Sequence, residues 1–348
     1  MSFGIGIIGC GMISRFHAAA IAELPSAELV ACYNRTLPAA ERLAEQYGGC
    51  RPYDDLPAML ADPRVDLVTI CTPSGAHLEP AMAAIEAGKH VVIEKPLEVT
   101  VERCERLLAA AERAGVRVAT IFPSRFHRSA QLIKQAVDQG RFGQITMADA
   151  YVKWWRTQAY YDSGAWRGTW QLDGGGALMN QAIHSVDLLL WLAGPVVSVT
   201  AQTATLAHER IEVEDVAVAT LQLASGGLGV IQASTATYPG SFKRIEIAGT
   251  RGTAILEEED IVKWEFDQMT DADHQLVEQM RGATKTGGGA ADPAAIGHHA
   301  HRDLLRDFLV ALERGEPSQL EGTEGLRSVA LIEAIYEAAR QGRRVELA

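Results

Sequence analysis

The N-terminus constrains the fold more than any other stretch of this chain. Residues 4–8 form a short apolar run. Gly9-Cys10-Gly11-Met12-Ile13-Ser14 follows at once, and then comes a segment with helical spacing of Phe16, Ala19, Ala20 and Leu24. A strand, a glycine turn and a helix in direct succession let a backbone approach a pyrophosphate. The first glycine permits the tight turn, the second removes a side chain where phosphates come close, and the helix N-terminus offers N–H groups. Ser14 stands where the fingerprint has its third glycine. The match is incomplete, and its position between strand and helix gives it its weight.

The alternation continues. Residues 28–33, 65–71, 90–93 and 117–121 read as strands, and 38–47, 57–61, 78–87 and 101–114 as helices. This pattern predicts a doubly wound parallel sheet over residues 1–122. Beyond it the period changes to two. Runs at 145–153, 196–205, 216–223, 229–237, 243–248 and 253–257 predict an open, mostly antiparallel sheet. Helices are expected at 129–139, 176–192, 300–313 and 325–341. The expected fold class is α/β, with an α+β second domain over 123–348 whose last helices can pack back on the first. Residues 282–297 (GATKTGGGAADPAAIG) are the one low-complexity stretch, either a mobile loop or a segment that orders on a ligand.

A length of 348 residues suits two domains. With 44 acidic and 32 basic side chains the net charge is −12, which argues against nucleic acid or an anionic membrane as partner. The five cysteines form no Cys-x-x-Cys and are odd in number, so neither a disulfide scaffold nor a structural zinc site is expected, and a reducing cytoplasm is. The N-terminus lacks a basic segment and a long apolar core, so no secretory signal is expected. The uncharged stretch 216–242 carries glutamines, threonines and a Gly-Gly pair, and reads as two strands rather than a membrane span.

Strand ends carry the remaining candidates. After the second strand, Asn34-Arg35 replaces the acidic residue that usually accepts from the ribose of NAD. Asn34 can bond a hydroxyl, and Arg35 can stack on adenine, pair with a 2′-phosphate, or be a plain surface arginine. This tilts the expectation toward NADP and leaves NAD open. Thr72 and Pro73 are placed to border the nicotinamide ribose, with His77 either a cofactor contact or a first-turn helix residue. Glu94-Lys95-Pro96 puts a lysine at another strand end, where it can orient a substrate hydroxyl; Lys-Pro alone reads equally as a surface turn. Pro96 admits a cis bond.

The run Asp173-Gly174-Gly175-Gly176 opens a helix with Asn180 and His184 four apart on one face and Asp187 a turn further on, able to orient an imidazole. A histidine with a carboxylate partner suits a general base, although on this apolar helix His184 alone reads as a core residue. Four of the six tryptophans lie between 154 and 170, among Arg156, Tyr160, Trp166 and Arg167. Such aromatic faces with arginines suit sugars bearing carboxylate or phosphate, or else a packed interface. Arg125 and Asp173 join them as substrate candidates. His298-His299-Ala300-His301 lacks a completing ligand set and reads as a polar helix start, so no metal is expected.

In combination these motifs resemble the Gfo/Idh/MocA oxidoreductases, named for glucose–fructose oxidoreductase and inositol dehydrogenase. The resemblance spans nearly the whole chain through GIIGCGMIS, VTICTPSGAHLEPAMAAIEAGKHVVIEKPL, GGGALMNQAIHSVDLLLWLAG and IEIAGTRGTAIL. It implies a Rossmann domain that binds NAD or NADP through Gly9, Gly11, Met12, Ile13, Asn34, Arg35, Thr72, Pro73, His77, Glu94 and Lys95. It also implies that Lys95 and His184 flank the nicotinamide. Many members carry aspartate where this chain has Asn180, so Asn180 is expected as a hydrogen-bonding orienter.

The segment KWWRTQAYYDSGAWRGTWQLDGGGALMNQAIH looks like the branch that oxidises the 3-hydroxyl of nucleotide-linked aminosugar uronates. The implied activity is hydride transfer between the nicotinamide and a secondary hydroxyl of a sugar, sugar acid or cyclitol, in a homodimer or homotetramer built through the second sheet. Two other readings stand beside it: a redox-neutral glycoside-cleaving enzyme that recycles bound NAD, and a non-catalytic NAD(P)-sensing regulator. Retention of Lys95 and His184 argues against the last.

Overall fold

Short runs, mostly of β-branched and aliphatic residues, build the first sheet. They are β1 (Phe3–Ile8), β2 (Ala27–Tyr33), β3 (Arg51–Tyr53), β4 (Leu67–Ile70), β5 (His90–Ile93) and β6 (Val118–Thr120). Between them run α1 (Met12–Ala22), α2 (Leu37–Tyr47), α3 (Leu56–Leu60), α4 (Leu78–Glu86) and α5 (Val101–Ala114). The strand order is β3-β2-β1-β4-β5-β6 and every pairing is parallel. Ile5, Ile7, Leu67, Val68, Val91 and Val92 are all fully buried, as expected of central strands covered on both faces. The order reverses between β1 and β4. Ligands of such sheets bind outside the carboxyl ends of the strands at this switch point. Gly9, Thr72 and Lys95 follow β1, β4 and β5 there.

The computed structural model describes residues 2–280 and 297–347. The chain divides into two units, Met1–Pro123 with Gly297–Val329, and Ser124–Ile296 with Ala330–Ala348. The second unit holds α6 (Arg128–Asp138), β7 (Ile145–Lys153), α7 (Gln158–Asp162), a π-helix (Ala177–Ala182) and α8 (Ile183–Ala193). The strands β8 (Val196–Ala204), β9 (Val216–Leu223), β10 (Leu228–Ser234), β11 (Arg244–Gly249), β12 (Gly252–Glu257) and β13 (Asp260–Phe266) follow, then α9 (Asp271–Met280). After these come α10 (His299–Arg314), α11 (Gly322–Gln341) and β14 (Val345–Glu346). The second sheet runs β13-β12-β11-β7-β10-β9-β8-β14, and only its β7–β10 pair is parallel. In β9 the buried and less buried positions alternate, the mark of a sheet with one face covered.

Residues 216–242 do form two strands about a Gly226–Gly227 turn, as their composition predicts. The second sheet contains more than the sequence reading found. β13 begins on the last of four consecutive acidic residues, which obscure its alternation, and β14 has only two residues. The expected helix at 176–192 begins as a π-helix and becomes α-helical only at Ile183. Apart from Gly297, the low-complexity segment 282–297 lies outside the described residues. Among the described residues no helix is long and apolar enough to cross a membrane.

Candidate active site

In the first unit, the glycine turn is shaped by contacts that leave room beside it. Gly9 has φ +93°, and a Cβ there would meet the Cys71 carbonyl carbon at 2.9 Å, so β1 can pass β4 this closely only with glycine. Gly11 caps α1 with no side-chain hydrogen bond, and a Cβ built on it would meet nothing within 4 Å. An open space thus faces a helix N-terminus whose first N–H groups have no side-chain cap. This is the cradle a pyrophosphate requires, and the residues present fit a dinucleotide. Ser14, in place of the third glycine, is buried and donates to the Gly11 carbonyl at 2.6 Å. Its small hydroxyl therefore stabilises the same turn. Met12 is exposed and Ile13 half-buried beside it.

Asn34 organises this loop. Its carbonyl oxygen accepts from the Cys10 N–H at 3.3 Å, and its amide donates to the Thr36 hydroxyl at 2.9 Å. Arg35 is exposed. Thr72 and Pro73 are half-buried, and the Thr72 hydroxyl donates to the Ala76 carbonyl.

Two of the expected cofactor residues have their side chains engaged within the unit. His77 is fully buried, with Nδ1 2.9 Å from the Pro96 carbonyl and Nε2 3.0 Å from that of Thr72. It braces the β4 and β5 loops against each other, and its burial lowers the imidazole pKa. Glu94 is also turned inward. Its Oε1 lies 2.8 Å from His17 Nε2 and 3.5 Å from His301 Nε2, while Oε2 accepts from the Lys95 N–H. Burial opposes its charge, yet hydrogen bonds with the two imidazoles hold its carboxyl well below the usual range. His17 completes its own bonding through Thr69 Oγ1 at 2.8 Å. Sequence reasoning missed this His17–Glu94–His301 group because its members are separated by up to 284 positions (301 − 17) and meet only in the folded unit. Lys95 is half-buried, and its peptide to Pro96 is cis.

In the second unit, the aromatic and basic residues form a layered network. The Tyr160 ring faces Arg167 at 4.2 Å and Arg156 at 5.5 Å, and each guanidinium also lies over a tryptophan, Trp166 at 4.5 Å and Trp154 at 5.0 Å. The Tyr160 hydroxyl accepts from Arg167 and from Gln181 Nε2 at 2.9 Å. Gln181 in turn accepts from Arg156 at 2.9 Å and donates to Asn180. Burial pushes the Tyr160 phenol up and the Arg156 guanidinium down. Gln181 was not anticipated: a glutamine on an apolar helix carries no motif of its own.

Asp173 is buried, accepting from Asn180 Nδ2 and from the Gly168 N–H at 2.8 Å, so it braces Asn180 rather than reaching outward. Arg125 is likewise engaged within the fold. Its guanidinium donates to both oxygens of Asp187, at 2.6 and 2.8 Å, with both residues buried. The carboxylate expected to orient His184 is therefore bound by an arginine. His184 itself is half-buried on α8, one turn from Asn180.

Each unit matches a family description. Residues 3–122 match the oxidoreductase family with an NAD-binding Rossmann fold, and residues 130–255 match the GFO/IDH/MocA C-terminal domain. An uncharacterised oxidoreductase of Synechocystis is 31% identical over 264 residues, covering 72% of this chain and 71% of the relative. The chain belongs to the Gfo/Idh/MocA oxidoreductase family. It is an enzyme of that class, built on a nicotinamide-dinucleotide-binding unit. The inositol 2-dehydrogenase of Rhizobium meliloti is 28% identical over the full length of both chains. Among solved structures, the WlbA dehydrogenase of Bordetella pertussis, in complex with NADH and UDP-GlcNAcA, is 37% identical with a TM-score of 0.87, covering 100% of this chain and 99% of that one.

Proposed function

We propose that this chain transfers hydride between NAD(H) and the 3-hydroxyl of a nucleotide-linked aminosugar uronate. The observation that carries this is the end-to-end 37% identity to a dehydrogenase whose structure holds NADH and UDP-GlcNAcA. The broader class, secondary alcohols of sugars and cyclitols, agrees with the inositol dehydrogenase relative. When bound, the nicotinamide supplies the hydride acceptor or donor.

The chain's own residues do the rest. Gly9, Gly11, Met12 and Ile13 receive the pyrophosphate, Asn34 and Arg35 the adenosine side, and Thr72, Pro73 and Lys95 the nicotinamide side. His184 takes the hydroxyl proton, Lys95 polarises the oxygen that loses it, and Asn180, held by Asp173, keeps the polar groups of the helix oriented. Arg156, Tyr160, Trp166 and Arg167 provide the face for an anionic sugar. Exposed Arg35 is the remaining argument for NADP, and NADH in the similar structure is the argument for NAD.

The proposal includes self-association through the second sheet, where Met147, Val218 and Leu228 are exposed on neighbouring strands. It also includes a reducing cytoplasm, in keeping with five free cysteines.

The test is nicotinamide absorbance on adding UDP-GlcNAcA with NAD or NADP, run beside Lys95→Ala and His184→Ala. Each variant is expected to lose about 10²–10⁴-fold in turnover and to bind dinucleotide as before. Unchanged turnover in either removes that residue from the chemistry. Dinucleotide retained through purification, with no net absorbance change on turnover, would favour the redox-neutral reading instead.

A further inference from the structure

The helical segment that carries Asn180 and His184 starts without a cap of its own. Its N-cap residue is Gly176, which has no side chain to accept from the first backbone N–H groups. Those groups turn instead to one residue 38 positions away in sequence. Glu214 Oε2 accepts from the Gly176 N–H at 3.0 Å, and Oε1 accepts from the Leu178 N–H at 2.8 Å. The Glu214 backbone carbonyl accepts from the Ala177 N–H between them, at 3.0 Å. Three successive donors are thus met by a single buried residue.

The glycines are what permit this approach. A Cβ on Gly176 would lie 1.7 Å from the Glu214 carbonyl oxygen, and one on Gly175 would lie 2.1 Å from the Tyr336 hydroxyl. That hydroxyl closes the arrangement by donating to Glu214 Oε1 at 3.1 Å.

We infer that Glu214, braced by Tyr336, is a positioning residue: its carboxylate fixes the start of the helix and thereby the placement of Asn180 and His184. The inference rests on the catalytic role proposed for His184. It assigns Glu214 no contact with substrate or cofactor.

The clamp is sensitive to protons. Burial pushes the Glu214 carboxyl up to about 7, against the hydrogen bonds from Leu178 and Gly176 that pull it down. The titratable groups that face it are Tyr336 from α11, whose phenol burial holds well above its ordinary range, and Tyr161 from α7, raised chiefly by burial and least by Glu214. Tyr336 therefore stays a donor across the neutral range. The ionised carboxylate can accept from all three groups. The protonated acid accepts from them more weakly, because the bonds are no longer charge-assisted. As pH falls through about 7 the carboxylate takes up a proton, and the hydrogen bonds it accepts lose their charge assistance.

The experiment is a pH profile of kcat for the full-length enzyme and for Glu214→Gln and Tyr336→Phe. Glu214→Gln is expected to lose about tenfold to a hundredfold in kcat at alkaline pH, the range a small misplacement of a catalytic group costs. Its dinucleotide affinity stays unchanged, and the ionisation near neutrality disappears from its profile. Tyr336→Phe removes one donor to the carboxylate and is expected to move that ionisation to higher pH. Hydrogen exchange at Gly176, Ala177 and Leu178 should quicken in both.

An apparent pKa identical in all three proteins overturns the proposal, as does faster exchange with kcat unaltered. Should Glu214→Gln fail to fold, the Tyr336→Phe shift decides. A failure of the underlying reading looks different: His184→Ala would turn over normally while the exchange rates still reported the clamp.

Discussion

Arg125 and Asp187 meet through two hydrogen bonds of 2.6 and 2.8 Å with neither side chain reaching water. Two charges out of solvent are tolerated only as a pair, since each alone would face the full desolvation penalty. Arg125→Met should therefore cost about 3–5 kcal/mol, because Asp187 is left buried without its partner. Arg125→Met with Asp187→Leu should recover most of that loss, an apolar pair of similar volume being near neutral at such sites. Urea unfolding of the three proteins measures it. A single variant within about 0.5 kcal/mol of wild type, the range of ordinary surface substitutions, would mean the pair does not hold α8. The sequence shows Asp187 one turn beyond His184, and helical spacing alone makes it the imidazole's partner. The arginine that binds it lies 62 positions away (187 − 125), where no local pattern points to it.

At the scale of elements, legibility follows the range of the interactions that define each element. The turn from β1 into α1 is written in six consecutive residues, and the structure places an open space and an uncapped helix end there. Gly11 offers a clean check on what occupies that space. Its backbone is in the extended region that any residue adopts, with φ −85°, and no atom lies within 4 Å of a built Cβ. Gly11→Ala is thus expected to unfold within about 0.5 kcal/mol of wild type, as substitutions touching nothing usually do. Dinucleotide affinity should drop at least about tenfold, because the added methyl enters the volume a pyrophosphate needs. Equal affinity in a titration followed by intrinsic fluorescence would show that the dinucleotide does not pass over Gly11. The π-helix is the opposite case. Residues 177–182 are apolar apart from Asn180 and Gln181 and read as an ordinary helix start. Their wider winding accompanies a start held by Glu214 from the loop before β9, a tertiary cause that periodicity cannot register.

At the scale of the whole molecule, the chain's return to its first unit decides what can fold alone. The change from strand–helix alternation to period two invites a cut at residue 122, but residues 297–329 belong with the N-terminal strands. α10 lays Leu304, Leu305, Phe308 and Leu309 into that unit, each at most 1% exposed. At about 1.5–3 kcal/mol for each fully buried side chain, the four contribute roughly 6–12 kcal/mol. That is comparable with the whole stability of a typical domain, about 5–15 kcal/mol. Polar partners are lost with them: Arg117 donates to the Ala311 carbonyl at 2.9 Å, the Thr120 N–H to the Leu320 carbonyl at 3.0 Å, and Glu94 loses His301. A polypeptide of residues 1–122 should accordingly lack a cooperative thermal transition and bind dyes that report exposed apolar surface. Joining residues 297–329 to it through a flexible linker should restore both the transition and dinucleotide binding. If the short polypeptide alone unfolded cooperatively at the temperature of the joined one, α10 would be an accessory to the Rossmann unit rather than part of its core. The sequence leaves the return of the last helices to the first domain as one option only, because an amphipathic helix shows which of its faces is covered and not by which half of the protein.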